Sequence, residues 1–558
     1  MRRRLLSLLI CAALPLSAGA LELDAPADIE RLLKPHLPDE DGTPRRLQGL
    51  IDDILATEGY FSPNYDFSGG DEAPLRLKLD PGPRTHIASV DLAVDGPVDE
   101  KTRQALLDGW LLPVGKPFRQ EDWNDAKQQI LADLLAVEHP DARLADSQAE
   151  IDVDTRRAAL RAHYDAGARY RFGELRVTGL QRYPASLVER YNRSARAGEA
   201  YRVDRLNELQ TALQASPYFS SVRASLDRTA AETLPDGSVS APVLVDVSER
   251  PAHRVGFGVG ASSNTGARVE ASYHTPDLFN QAWALDSGLR LEQKKSTLYG
   301  DVFLPPDDKN RRHSVGGMVE TTDIQGLRTE RYAVGAQSVQ MRGSIEQRLS
   351  LNWQTETRHP DGAAPVLSRA LVPNVMWIWR KVDNPLDPRR GLVAQFQVGG
   401  GAKAALSDQN FVRVHSRSQV WLPLGARDTL SLRAEAGYTV ADSRQHIPQD
   451  YLFRAGGTGS VRGYAYQSLG VKEGDATVGG RYLATLSAEA THWLSQDWGV
   501  AAFIDAGDAV DSLQDVRLAV GYGLGARWKS PAGPLGVDLA YGERDRQVQL
   551  HFSLAIPF

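Results

Sequence analysis

Residues 254–558 alternate apolar and polar side chains along most of their length, which is the pattern of β-strands with one apolar face. In one segment, Leu349, Leu351 and Trp353 alternate with polar residues. The final segment is the most regular, with an apolar side chain at every second position from Val548 to Phe558. Turn residues separate such segments, and the pattern predicts sixteen strands.

Strands with one apolar face and no helical cover need either a second sheet or a lipid environment. Lipid offers the backbone no hydrogen bonds, so a sheet that spans a membrane must close on itself. The even strand number, and eight of the ten tryptophans in this region, favour a membrane barrel over a large soluble β-sandwich. We predict a 16-stranded antiparallel transmembrane β-barrel over residues 254–558.

Residues 21–253 show a different pattern, in which helix-period segments alternate with short strands. Similar stretches recur at a period near eighty residues, for example the strands that follow Gly82 and Gly167. Each unit reads strand–helix–helix–strand–strand and predicts a small sheet under two helices. We therefore expect three α+β modules over 21–84, 85–166 and 167–253. They contain no constellation of nucleophile and base, so we expect them to bind rather than to catalyse.

A long connection without alternation, about 441–477, interrupts the predicted barrel strands. It contains Gly456-Gly457-Thr458-Gly459-Ser460-Val461-Arg462-Gly463-Tyr464. Loops of this length in compact domains are usually functional or disordered. Aromatic residues such as Tyr451 and Phe453 argue against simple disorder, although a flexible surface loop remains the alternative.

The N-terminal residues 1–20 read as a secretory signal peptide, with three arginines, an apolar run and small residues at the end. The chain's single cysteine, Cys11, lies within this segment, so the exported chain is expected to contain no disulfide. An exported multidomain chain without cysteine fits the envelope of a Gram-negative bacterium.

Charge and candidate chemistry narrow the function further. The formal net charge is −7, and residues 21–166 carry 30 acidic and 16 basic side chains, a net charge of −14. No basic stripe suits nucleic acid. The twelve histidines are scattered, and Gly456–Ser460 lacks the lysine of a phosphate-binding loop. We expect no enzymatic activity, no metal and no cofactor.

Arg462 is the candidate anchor of the long loop, because an arginine inside a barrel needs carboxylate partners. Asp505 and Phe503 have the same parity on one predicted strand, so we expect both to face the lumen, with Phe503 packed on the loop. Glu489 is the second candidate partner. Such a guanidinium–carboxylate cluster would pin the loop. Whether it gates the barrel or only braces it stays open.

The junction of the first and last strands, the seam, is the second candidate site. The first strand carries alternating glycines at Gly256, Gly258 and Gly260, and glycine weakens strands. Pro557, next to the terminal Phe558, removes an N–H donor from the last strand. An edge that opens easily would offer a template to an incoming strand.

Four motifs in this order resemble the Omp85 family of outer-membrane assembly and secretion proteins. They are the loop motif Val461–Tyr464, the strand motif Phe503–Gly507, the turn Asp383–Gly391 and the terminal Phe558. The three modules are similar to the family's periplasmic POTRA modules, and Glu489 resembles its lumen glutamate. The resemblance covers essentially the whole chain after residue 20. It implies a loop that folds back into the barrel.

Within the family, three modules and a glycine-rich first strand resemble the outer-membrane subunit of the translocation and assembly module. This resemblance implies a large periplasm-spanning partner anchored in the inner membrane, bound by the N-terminal modules. It also implies clients that are unfolded outer-membrane proteins of the autotransporter kind. A two-partner secretion transporter remains an alternative within the family. A passive porin-like channel is the alternative from another class.

Overall fold

The computed structural model describes residues 22–37, 43–70, 73–425, 427–530 and 533–554. The predicted signal peptide and the seam residues Pro557 and Phe558 lie outside the described residues. The chain forms two compact units. One comprises residues up to 178 with 192–211 and 223–246, and the other comprises 179–191, 212–222 and everything from residue 247.

In the described residues before the barrel there are three small sheets and six α-helices. The strands are β1 (Glu22–Asp24), β2 (Asn64–Gly70), β3 (Ala73–Asp80), β4 (His86–Asp95), β5 (Arg143–Asp152), β6 (Arg157–Asp165), β7 (Tyr170–Thr178), β8 (Phe219–Leu226), β9 (Glu232–Thr233) and β10 (Val239–Glu249). The helices are α1 (Ala27–Leu33), α2 (Pro44–Thr57), α3 (Glu100–Asp108), α4 (Gln120–Ala136), α5 (Ala185–Tyr191) and α6 (Val203–Gln214). The strand orders are β1-β3-β2, β4-β6-β5 and β7-β10-β8, with the short β9 beside β10. In each sheet the first strand runs parallel to the last, which lies in the centre.

The helices form because their apolar residues recur on one face. In α2, Leu47, Ile51 and Leu55 are spaced four apart and are all buried. Proline at the first position, Pro44, suits a helix start because its missing N–H would have had no helical partner. In α3 the carboxylate of Asp99 caps the helix by accepting a hydrogen bond from the Thr102 N–H at 3.0 Å.

The joint between the first and second sheets is built around Glu58, which directly follows α2. Its carboxylate accepts two hydrogen bonds from Arg119, at 2.9 and 3.0 Å, and one from Arg84 at 3.0 Å. The Thr85 N–H also donates to the Gly59 carbonyl at 2.8 Å. The pKa of Arg119 is raised above its usual range because its guanidinium donates hydrogen bonds to Glu58. The first and second sheets are thus joined by one charge-assisted cluster.

The same arrangement recurs between the second and third sheets. Glu138, just after α4, accepts two hydrogen bonds from Arg169, at 3.2 and 3.1 Å. The Tyr170 N–H donates to the Glu138 carbonyl at 2.7 Å, which repeats the backbone contact of the first joint. Hydrogen bonds to Glu138 likewise raise the pKa of Arg169. A similar backbone contact follows α6. The Arg250 N–H donates a hydrogen bond to the Tyr218 carbonyl at 2.8 Å.

The C-terminal part confirms the predicted barrel of sixteen antiparallel strands. They are β11 (Arg254–Ser262), β12 (Gly266–Leu278), β13 (Trp283–Glu292), β14 (Lys295–Phe303), β15 (Arg312–Ile324), β16 (Leu327–Arg342), β17 (Ile345–Pro360), β18 (Val366–Val382), β19 (Gly391–Gly401), β20 (Phe411–Pro423), β21 (Asp428–Val440), β24 (Tyr482–Trp493), β25 (Trp498–Val510), β26 (Ala519–Ser530), β27 (Gly533–Gly542) and β28 (Gln547–Leu554). The short β22 (Val471–Glu473) and β23 (Ala476–Val478) form a separate hairpin. Each barrel strand pairs with the next in sequence, and β21 pairs directly with β24.

Period-2 alternation places the apolar side chains on the outer face of this sheet. Along β25, Trp498, Val500 and Ile504 are exposed, whereas Phe503 and Asp505 are buried. Exposed leucines and valines on neighbouring strands continue the outer band, as a lipid-facing surface requires. The polar side chains therefore line the lumen. None of the helices in the described ranges is both long and apolar enough to cross a membrane.

Candidate functional site

The long connection between β21 and β24, residues 441–481, is folded on the lumen face of the strands. Val461 and Tyr464 in this loop have no exposed surface, and they pack with Ala509 of β25 and Ala519 of β26. The Tyr464 hydroxyl also donates to the Val520 carbonyl at 3.0 Å. The loop leaves the barrel sheet at the end of β21 and rejoins it at the neighbouring strand β24, because these two strands pair directly. We refer to residues 441–481 as the lid loop.

Arg462 makes more hydrogen bonds to Asp505 than to any other residue. The carboxylate of Asp505 accepts three hydrogen bonds from Arg462: 3.0 Å from the backbone N–H, 2.7 Å from Nε and 2.9 Å from Nη2. Asp505 has no exposed surface. The guanidinium carbon lies 3.5 Å from the ring centroid of Phe503, a cation–π contact in a desolvated site. The structure thus brings together three of the residues that the sequence singled out.

The cluster extends beyond the residues that the sequence suggested. Nη1 of Arg462 donates to Glu489 at 2.6 Å and to Asp538 of β27 at 3.1 Å. A second arginine, Arg527 of β26, contacts the same two carboxylates, Glu489 at 2.7 Å and Asp538 at 2.6 Å. Two guanidinium groups are thus interleaved with three buried or half-buried carboxylates. We refer to these five residues (Arg462, Glu489, Asp505, Arg527, Asp538) as the arginine clamp.

Glycine is required beside the clamp because the backbones approach closely. Gly463 has a φ of +90°, and a Cβ there would lie 2.8 Å from the backbone of Tyr541 and of Gly542. Its N–H donates to Nε2 of His551 at 3.0 Å, which fixes the proton of this imidazole on Nδ1. Gly507 allows β25 to approach β24 closely, because a Cβ at this position would lie 2.6 Å from the Ala484 carbonyl oxygen.

The lid loop has a second anchor on the opposite part of the sheet. Arg358 of β17 is 2% exposed and donates to Glu473 of the β22–β23 hairpin at 2.9 Å. Arg444 donates to the same carboxylate at 2.6 Å. The Thr477 N–H in this hairpin donates to the Gln325 carbonyl in the turn between β15 and β16, at 2.9 Å. The lid loop is therefore anchored to the barrel strands at two places, through Arg462 and through Glu473.

At the seam, β11 and β28 occupy the two ends of the sheet order, and no ladder of backbone hydrogen bonds joins them in the part of the chain that the structure describes. Gly256, Gly258 and Gly260 all lie in β11. Phe257 and Val259 beside them are 85% and 88% exposed, against 48% for Leu349 and Leu351 within the intact ladder. Among the described residues β11 pairs only with β12, and this open second edge explains the difference.

Between the described parts of the first and last strands, a direct hydrogen-bond contact joins Ser263 and Phe552. The hydroxyl of Ser263, next to the end of β11, accepts from the Phe552 N–H at 3.3 Å and lies 3.4 Å from the Phe552 carbonyl. This contact places the end of the first strand beside the last one.

The turn Asp383–Gly391 connects β18 to β19 and is organised by its first residue. The Asp383 carboxylate accepts hydrogen bonds from the N–H groups of Asn384, Arg389 and Arg390, at 2.9, 3.0 and 3.2 Å. Burial opposes ionisation there, but these backbone hydrogen bonds outweigh it and hold the pKa of Asp383 below its usual range. Asp387 of the same turn forms an ion pair with Lys529 of β26 at 2.6 Å.

Four residues of these anchors escaped sequence reasoning: Asp538 and Arg527 of the clamp, and the ion-paired Arg358 and Glu473. Asp538 lies between the outward Val537 and Leu539, so its parity marked it as lumen-facing. That signal is shared by every polar lumen residue, and the choice among them depends on strand register. No group of three or more His, Cys, Asp or Glu side chains suited to a metal occurs among the described residues.

The sequence model of the Omp85 superfamily domain matches residues 252–558, which is more than half of the chain. The chain belongs to the Omp85 superfamily. The outer membrane protein assembly factor BamA from Neisseria meningitidis serogroup B is 23% identical to it over 495 residues. The match covers 74% of this chain and 60% of that relative, so the chain spans less than two thirds of the relative's length.

Among solved structures, BamA from Haemophilus ducreyi lacking POTRA domains 1–3 is similar in fold, with a TM-score of 0.70 at 17% identity. The match covers 84% of this chain and 99% of that one. As an Omp85 protein with this fold, the chain is an outer-membrane protein whose barrel is embedded in the bilayer. The family resemblance read from the loop and strand motifs is therefore confirmed.

Proposed function

We propose that this Omp85 protein helps insert or secrete autotransporter-like β-barrel clients through its seam. The observation that carries the proposal is the edge of β11, which has no ladder partner within the described residues and exposes Phe257 and Val259. A free strand edge is a template for pairing with another strand. Added strands gain affinity from backbone hydrogen bonds, which suits clients of varied sequence.

The lid loop supports this proposal over a passive channel. The loop is buried on the lumen face and fixed by two groups of ion pairs, so the lumen is occupied in this state. A porin-like channel needs an open lumen, whereas passage at the seam does not. The loop, in this proposal, keeps the lumen closed while strands are exchanged at the edge of the sheet.

The N-terminal sheets are proposed to bind the inner-membrane-anchored partner. Residues 21–166 carry a net charge of −14, and β2 and β5 lie at edges of their sheets. Charge and an open edge are two routes by which such modules recruit a protein. Cross-linking of the full-length chain in cells, followed by identification of the captured protein, tests this assignment. Capture of one secreted substrate instead would contradict it and indicate a two-partner secretion transporter.

A disulfide across the seam tests the route itself. We expect cysteines replacing Ser263 and Phe552 to cross-link readily, since Cys11 in the predicted signal peptide is the chain's only cysteine. The oxidised protein should lose insertion of an autotransporter client, and a reductant should restore it. The matched control places cysteines at Ser287 and Gly300, which are partners in the intact ladder of β13 and β14. Normal insertion by the locked seam would refute the route.

A further inference from the structure

The lid loop contains a compact turn, residues 457–464, that lies beside the seam. The Gly457 N–H donates to the Tyr464 carbonyl at 3.0 Å and closes the turn. The hydroxyl of Ser460 accepts from the Gly456 N–H at 2.8 Å and fixes the turn from within. These two hydrogen bonds define the turn as a compact unit within the loop. We refer to it as the lid turn.

One side of the lid turn contacts the first strand of the barrel. The side-chain amide of Asn264 donates to the Thr458 hydroxyl at 3.2 Å. Asn264 belongs to the turn that follows β11, and its N–H donates to the hydroxyl of Ser262, the last residue of β11, at 3.1 Å. Through Asn264, the hydrogen bond to Thr458 therefore connects the lid turn to the end of the first strand.

The other side of the lid turn contacts the last strand. The Gly463 N–H donates to Nε2 of His551 in β28 at 3.0 Å, in a buried position. His551 is the cross-strand partner of Asp538, which Arg462 contacts at 3.1 Å. Gly463 and Arg462 therefore engage the last two strands together, five residues from the contact with Asn264.

A cavity of about 520 Å³ at the same place shows that these elements converge on the seam. Its walls include Asn264 after the first strand, Thr458 of the lid turn and Phe552 of the last strand. Two contacts connect the first and last strands around this cavity. One runs through the lid turn, and the other is the hydrogen bond between Ser263 and Phe552. The seam is thus spanned by two contacts of different kinds.

We infer that the lid turn is a brace that holds β11 to β28, so that the seam opens only when the lid turn releases one side. This inference rests on the proposed function, because it treats the seam as the working edge. It assigns Asn264, Thr458 and His551 as positioning residues that act on the seam through the lid. The inference also makes the lid loop and the seam, which the sequence suggested as two separate sites, parts of one functional site.

The test measures the seam without any client. Cysteines replacing Ser263 and Phe552 report its closure by the initial rate of disulfide formation in outer membranes. Thr458→Val removes one hydroxyl from a loop and leaves every strand intact, and His551→Ala removes the contact on the other side. Each should slow cross-linking about fivefold, the effect of losing one hydrogen bond of ordinary strength. Asn374→Ala and His492→Ala, on strands remote from the seam, serve as controls and should leave the rate unchanged.

Two outcomes would overturn the brace. The first is an unchanged rate in both Thr458→Val and His551→Ala. The second is an equal fall in the controls, which would show a general loosening of the barrel. Because no client is present, failure of this test is distinct from failure of the proposed route. That route fails only if client insertion continues through a locked seam.

Discussion

The coupling between Arg462 and Asp505 gives the sharpest test of the clamp. Arg462→Met removes the two guanidinium hydrogen bonds to Asp505 and keeps the one from the backbone N–H. The Asp505 carboxylate, which has no exposed surface, is then left without a cationic partner from this residue. Glu489 and Asp538 keep their contacts with Arg527, so the unpaired charge is that of Asp505. Breaking a buried pair from one side costs about 3–5 kcal/mol in the free energy of unfolding.

Removing the carboxylate instead of the arginine should lower the free energy of unfolding by a smaller amount. In Asp505→Leu, Arg462 keeps Glu489 at 2.6 Å and Asp538 at 3.1 Å, so the expected loss is about 1–3 kcal/mol. The double variant has no orphaned carboxylate. Its loss should therefore fall short of the sum of the two single losses by at least about 2 kcal/mol.

Urea unfolding of the purified barrel in detergent, followed by tryptophan fluorescence, gives the three free energies. Hydrogen exchange of the lid turn should rise in Arg462→Met. The matched control is the pair Arg290→Met and Glu270→Leu, a two-hydrogen-bond contact between strands that is partly exposed. Its coupling should be only about 0.2–1 kcal/mol. Additive losses at the clamp, to within about 0.5 kcal/mol, would refute the reasoning.

Two further predictions concern the second anchor and the N-terminal modules. Arg358→Met leaves Glu473 paired with Arg444, so we expect a loss of about 1–3 kcal/mol and faster hydrogen exchange in the β22–β23 hairpin, with the lid turn unaffected. Burial lowers the pKa of His139, so the folded chain favours the neutral imidazole. Stability from this residue is present above about pH 6.5, the unfolded value, and declines as the pH falls below it. Thermal unfolding of His139→Phe between pH 5 and 8 should lack this decline, and an unchanged pH profile would contradict the assignment.

The barrel and one side of the clamp were readable from the sequence, for a physical reason. Strand alternation fixes the face of each side chain, so the shared parity of Phe503 and Asp505 placed both in the lumen. An arginine among glycines in a long loop has few ways to be satisfied inside a barrel. Glu489 was singled out through its resemblance to the lumen glutamate of the family, and the pairing of β24 with β25 places it beside Phe503.

The remaining contacts depend on geometry that no local pattern encodes. Asp538 meets Arg462 only because the loop crosses to strands that lie later in the chain. The hairpin contact of Glu473 with Arg358 joins residues more than a hundred positions apart. The bridging role of Asn264 required the position of the lid turn relative to both ends of the sheet. Parity selects a face, but only the folded path of a loop selects the partner on it.

The repeated joints between the N-terminal sheets have a consequence for how such chains change over evolutionary time. Glu58 with Arg84, and Glu138 with Arg169, use the same residue types at the same places in successive repeats. A duplicated or deleted module therefore brings its own acceptor and donor and needs no newly designed contact surface. The number of such modules could therefore change without a new contact surface at each junction.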